Sequence, residues 1–108
     1  MVRQGDIIRL NFSSTSGHEQ SGVRPAVVIS NDFTISKTNV VYVAPITSTI
    51  RHFPLHVPLD ERTKTTGVIL CEQVRAADLE ARRVTRIERL PDDLLERVLD
   101  CVIGCLNI

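Results

Sequence analysis

The sequence predicts an α+β domain, a small barrel-like antiparallel sheet covered on an open side by a C-terminal amphipathic helix. Two features carry that prediction. Short apolar or alternating segments, separated by glycine, proline and polar turns, recur through the first three quarters of the chain. From Pro91 to Leu106 the period changes, with Leu94, Leu95, Val98, Leu99, Val102, Ile103 and Leu106 in the three-four spacing of a helix. The length of 108 residues suits one core, and no repeat or shift of composition divides it, so a single domain over 1–108 is expected.

GDIIRLNF (Gly5 to Phe12) alternates as a first strand with Ile8, Leu10 and Phe12 on one face. SSTSGHEQSGV is then a long polar connection with two glycines, of the kind that carries function in compact domains. PAVVISN reads as a buried second strand, its Pro25 allowed at the first position because no ladder donor is needed there. DFTISKT is expected to close a hairpin onto NVVYVAPITST, a third strand interrupted near its end by Pro45. PLHVPLD alternates Leu55, Val57 and Leu59, which turns His56 away from the core. TTGVILCEQV is a buried strand entered through Gly67, and RVTRIERL one more short strand. In the final helix Pro91 suits the first turn, and Asp92 and Asp93 sit where the helix dipole favours negative charge. So wide an apolar stripe also suits a dimer contact.

Thirteen basic and thirteen acidic residues cancel, so no global charge draws the chain to a polyanion, and any such binding must be local. Arg75, Arg82, Arg83, Arg86 and Arg89 cluster, but Asp78, Glu80 and Glu88 interleave with them, as on a solvated face. No run approaches the roughly 18 to 20 apolar residues of a membrane span, and no N-terminal segment resembles a signal peptide. A cytoplasmic protein without membrane contact is expected. Cys71, Cys101 and Cys105 are odd in number and lack metal-type spacing, so they read as buried free thiols.

Arg24 stands before Pro25, and a residue in that place is forced into extended backbone, at the mouth of the second strand. If residues 32 to 39 close the hairpin, Asn31 opposes Val40, and equal steps outward bring Arg24 opposite Thr47; a bulge at Pro45 would shift this by one. A guanidinium and a hydroxyl then share one end of the sheet, with the His18-Glu19-Gln20 loop feeding into it. An arginine fork matches phosphate geometry, and a hydroxyl donates to a non-bridging oxygen. A strand-edge ion pair of Arg24 with Glu19 or Glu72 is the plainer reading. The chain carries no phosphate loop and no carboxylate set suited to magnesium, which argues against nucleotide hydrolysis. Cleavage of RNA by its own 2′-hydroxyl needs neither, only stabilisation of a crowded phosphorane and help with proton transfer.

GDIIRLNF, GHEQSGVRPAVVISND, APITS and GVILCEQVRAAD, in this order before a terminal amphipathic helix, resemble the MazF/PemK family of toxin endoribonucleases, from about Arg3 to Leu106. The resemblance implies the PemK/CcdB-type fold and a sequence-selective, metal-independent ribonuclease acting on single-stranded RNA with no cofactor. It implies a homodimer restrained by a cognate antitoxin. Catalytic roles carry over to Arg24 and Thr47. Glu19, Gln20, Glu72 and Gln73 fall in the family's two EQ segments, where RNA contact is expected. Because a guanidinium is a poor base, Arg24 is assigned to charge stabilisation and hydrogen-bond donation, and His18 is the candidate base by its intrinsic pKa. Arg51, Arg82, Arg83 and Arg86 are candidates for a local basic groove. His52 and His56 read as surface histidines, and Phe53 as the aromatic most open to solvent. The competing readings are a non-catalytic toxin of the same fold that binds gyrase, which in those relatives uses a C-terminal tryptophan that this chain lacks, and an RNA-binding module without chemistry.

Overall fold

Neighbouring residues that are both sealed from solvent set the architecture of the first three strands. These are β1 (Asp6–Phe12), β2 (Gly22–Val28) and β3 (Val40–Thr47). Ile7 with Ile8, Val27 with Val28, and Val43 with Ala44 are all fully buried. Successive strand residues face opposite ways, so this sheet is covered on both sides. The computed structural model describes residues 2–12, 22–49, 53–81 and 83–107.

One face collects Ile7, Val27, Ala44, Ile46 and Ile69 under the helix α2 (Asp92–Leu106), which contributes Leu94, Leu95, Val98 and Val102. The other collects Ile8, Leu10, Phe12, Ala26, Val28, Val41, Val43 and Ala77, with Ile35 of the short helix α1 (Asp32–Thr38). Each such large side chain removed from water stabilises the fold by about 1.5–3 kcal/mol. All ladders are antiparallel, in the order β4 (His56–Pro58), β5 (Val68–Leu70), β3, β2, β1, β7 (Thr85–Arg89), while β6 (Arg75–Asp78) also pairs with β3. The predicted α+β class, an antiparallel sheet with a C-terminal helix, is the one observed.

Strand β3 is the hub. Its outer edge pairs with β5 at Ile46 and Thr47 and with β6 from Val40 to Val43. The hand-over occurs at a single 3₁₀ turn, Cys71–Gln73, whose three residues absorb the change of register.

Several elements differ from the sequence reading. Residues 32 to 38 form α1 rather than a plain loop: Asn31 accepts the Thr34 N–H at 2.8 Å, and Asn39 ends the helix at φ 55°. Only Ile35 of α1 is buried, so no apolar period announces it. Strand β2 begins at Gly22, which places Pro25 inside it, opposite Arg9 of β1. The segment from Gly67 yields β5, the 3₁₀ turn and then a separate strand β6. Pro91 precedes α2 with extended backbone (ψ 143°) rather than joining its first turn. Of the cysteines only Cys71 is buried; Cys101 is half-buried and Cys105 exposed, because the stripe of α2 runs past the sheet that covers it. Phe33, at 70 % exposure, is more open than Phe53 at 47 %. Among the described residues no helix is long and apolar enough to cross a membrane.

Candidate functional site

Strand alternation decides which side chains can meet. Directly paired residues share a face, so Arg24, paired with Leu10, lies on the face turned away from α2. On β3, Ala44 and Ile46 point to α2, which turns Thr47 the other way, with its ladder partner Val68. The β2–β3 register runs Val28 with Val43, Val27 with Ala44 and Ala26 with Pro45. Pro45 introduces no shift in it. Carried two residues beyond the last ladder pair, this register sets Arg24 against Thr47, the pairing expected from hairpin counting.

Thr47 is 8 % exposed. Its hydroxyl oxygen accepts the Thr49 N–H at 3.2 Å, which fixes the oxygen and leaves its own O–H proton to donate elsewhere. The close approach of β5 holds the threonine from below. Gly67 adopts φ +120°, and a Cβ built there would lie 2.0 Å from the Thr47 carbonyl oxygen, so only glycine fits. The segment entering Gly67 is itself tied down. Arg62 forks between Asp60 and Asp93, with contacts of 2.8 Å to each. Glu88 of β7 accepts the Lys64 N–H at 3.1 Å and the Thr65 N–H and hydroxyl at 2.8 Å. Burial opposes ionisation of Glu88, but these donors outweigh it and hold the carboxyl below its ordinary value.

The face turned away from α2 continues onto β4, and the 3₁₀ turn that follows β5 packs Cys71 under α2. Val57 points to α2, so His56, paired with Leu70, points to the other side of the sheet. Its side chain is nonetheless only 7 % exposed and is not a surface histidine. A carboxylate can only accept, so the contact of 3.1 Å between His56 Nε2 and Glu72 Oε2 places the proton on Nε2. The Phe53 ring packs against the imidazole at 4.9 Å, which accounts for Phe53 as packing a loop as well as partly open to solvent.

Beside this group the sequence reading missed a residue. Arg75 of β6 pairs with Val43, and its guanidinium sits 5.1 Å from the centroid of the Phe12 ring. Its position in a run of interleaved charges disguised it; the signal available was its place two residues after Gln73, in a segment otherwise apolar.

Arg24 and Thr47 thus fall on one face, while Glu72 and Gln73 lie in the 3₁₀ turn that follows β5. Arg83 is exposed in the connection before β7. Arg86 contacts the buried carboxylate of Asp6 at 3.2 Å, where Arg89 at 3.8 Å and the Arg3 N–H at 2.9 Å also converge. His18, Glu19, Gln20, Arg51, His52 and Arg82 lie outside the described residues. Among the described residues no group of three or more His, Cys, Asp or Glu side chains could hold a metal ion.

An antiparallel sheet covered on one face by a C-terminal helix is a fold shared with solved MazF structures. Residues 3–106 match the family model of the PemK-like, MazF-like toxins of type II toxin-antitoxin systems, and the chain belongs to that family. It is 34% identical over 102 residues to the Endoribonuclease PemK of Escherichia coli, covering 91% of this chain and 77% of that protein. MazF from Deinococcus radiodurans superposes with a TM-score of 0.91 at 31% identity, over 99% of this chain and 97% of that one. MazF in a MazE-MazF crystal structure from the same organism gives 0.84 at 31% identity, over 97% and 95% of the two chains. A mycobacterial endoribonuclease crystallised with its cognate antitoxin shares the fold at 16% identity. The protein is an endoribonuclease toxin of a type II system.

Proposed function

We propose that the chain cleaves single-stranded RNA sequence-selectively and without a metal, as one domain over residues 1–108, in the cytoplasm where such RNA is found. The observation that carries this reading is the shared face and end of the sheet occupied by Arg24 and Thr47. In the proposed step the 2′-hydroxyl of the ribose gives up its proton as its oxygen attacks the adjacent phosphorus, the bond to the 5′-oxygen breaks, and the 5′-oxygen takes up a proton as it leaves, so that no proton is gained or lost overall. A 2′,3′-cyclic phosphate remains. Negative charge gathers on the non-bridging oxygens in the transition state, and donors positioned for it lower the barrier. Arg24 supplies a permanent cation with several N–H donors. Thr47 supplies an O–H whose oxygen is already fixed by the Thr49 N–H. Glu72 and Gln73 would contact unstacked bases, the usual route to sequence choice in RNA.

The working unit is a homodimer, which would cover Ile103 (54 % exposed) and Leu106 (77 % exposed) at the end of α2. The natural inhibitor is the cognate antitoxin. An acidic, partly disordered segment of it would lie along the Arg24 face and mimic the RNA backbone.

The test is cleavage of a labelled single-stranded RNA of mixed sequence in EDTA. The native chain is expected to cut at a few sites, a 2′-methoxy group at the scissile nucleotide to block the cut there, and Arg24→Ala to abolish it while the far-UV spectrum stays native. Binding without cleavage across varied sequences would favour an RNA-binding module, and loss of activity in EDTA would defeat the metal-free mechanism.

A further inference from the structure

The structure assigns to Arg75 a second phosphate-binding position on the Arg24 face, one that takes a non-bridging oxygen of an RNA phosphodiester next to the scissile one. This rests on the ribonuclease reading above. Arginines are seldom buried unless they are paired, because an unsatisfied donor of a charged group is costly to remove from water. Arg75 is half-buried, and its Nη1 is sealed from solvent with no hydrogen-bond partner. Among the described residues no carboxylate forms an ion pair with it.

What holds the guanidinium is the Phe12 ring, 5.1 Å away. A cation–π contact uses the charge and fixes the group without consuming any N–H donor, so a fork is left oriented and unspent. Its placement favours the same strand of RNA that meets Arg24. Arg24 pairs with Leu10, and Phe12 is the next residue of β1 on that face, opposite Gly22, which has no side chain to intrude. Arg24 from β2 and Arg75 from β6 therefore lie on one face, on strands that flank β3 on its two sides. Two fixed cations on one side of a sheet suit consecutive phosphates better than a single anion.

The experiment measures binding of a single-stranded oligonucleotide carrying 2′-deoxyribose at the cleavage site, which binds without being cut, as a function of salt, together with cleavage of the all-ribose strand. Each phosphate neutralised on a single strand contributes about 0.7 to the slope of log K against log salt. Arg75→Gln should lower that slope by about 0.7 and cleavage efficiency by about 10- to 100-fold, the worth of hydrogen bonds to a charged group. Arg75→Lys should keep the slope and lose most of the rate, because a point charge replaces the fork. An unchanged slope and rate in Arg75→Gln would overturn the assignment. So would an Arg75→Lys protein that is destabilised in urea yet cleaves at the native rate, since Arg75 would then serve packing alone. Failure of the native chain to bind or cut the strand at all would overturn the ribonuclease reading along with it.

Discussion

Gly67→Ala should silence the toxin while leaving it folded, although residue 67 carries no chemistry. A Cβ at this position would meet the Thr47 carbonyl oxygen at 2.0 Å and its carbonyl carbon at 2.8 Å, whereas real Cβ contacts essentially never fall below 3.0 Å. Strands β3 and β5 must therefore separate by about 1 Å at the Thr47 to Val68 pair. The φ of +120° adds backbone strain of about 1–3 kcal/mol for any residue with a side chain. A misplacement of about 1 Å in a positioned group costs up to about 100-fold in rate. The assay is single-turnover cleavage of a fluorescent RNA by saturating protein, below the unfolding transition, beside a binding measurement on a non-cleavable strand. The expected result is a loss of about 100-fold in the chemical step with binding nearly kept. A Gly67→Ala protein that cleaves at the native rate, or loses rate only in step with its unfolded fraction, would refute the argument that this glycine holds Thr47.

Thr47→Val keeps the shape and removes the O–H, so cleavage should fall by at least about 100-fold, as for loss of one transition-state donor, with strand affinity unchanged in the same binding assay. Glu88→Gln removes a carboxylate that accepts three hydrogen bonds from the segment leading to Gly67, and should cost about 1–3 kcal/mol in urea unfolding. Because the folded Glu88 carboxyl is held below its ordinary value, its contribution is present above the usual carboxylate range and lost as pH falls through the lowered value. The native-to-Gln difference in stability should therefore shrink below about pH 4. Leu94→Ala, at a site 2 % exposed on the buried face of α2, should lower stability by about 2–5 kcal/mol by denaturant titration.

The sheet was legible where burial is simple. Alternation marked β1 and apolar runs marked β2 and β3, the change to a three-four period marked α2 within a residue of its start, and the step count from Asn31 and Val40 matched the observed β2–β3 register. Short elements were less legible, because their signals are caps and register rather than period. The helix α1 buries one residue and is marked by Asn31 and Asn39. The break between β5 and β6 appears only when β3 exchanges one partner for the other. In the site, Arg24 was marked by the proline after it, and Thr47 by counting. His56 was placed on the right face, but its burial depends on Phe53 and Glu72, which no local pattern brings together. Arg75 looked like one more charge in a mixed run, since its contact with Phe12 joins residues far apart in the sequence. Arg86 looked available for the same reason: its partner, Asp6, lies at the other edge of the chain order.

The pairing of β1 with β7 has a consequence for how the toxin is born. Asp6 lies against Arg89, so β1 waits for β7, far later in the chain, before its edge is closed. The stripe of Ile7, Val27, Ala44 and Ile46 stays uncovered until α2 emerges behind it. A chain stopped after Arg89 should show no cooperative unfolding transition and no cleavage.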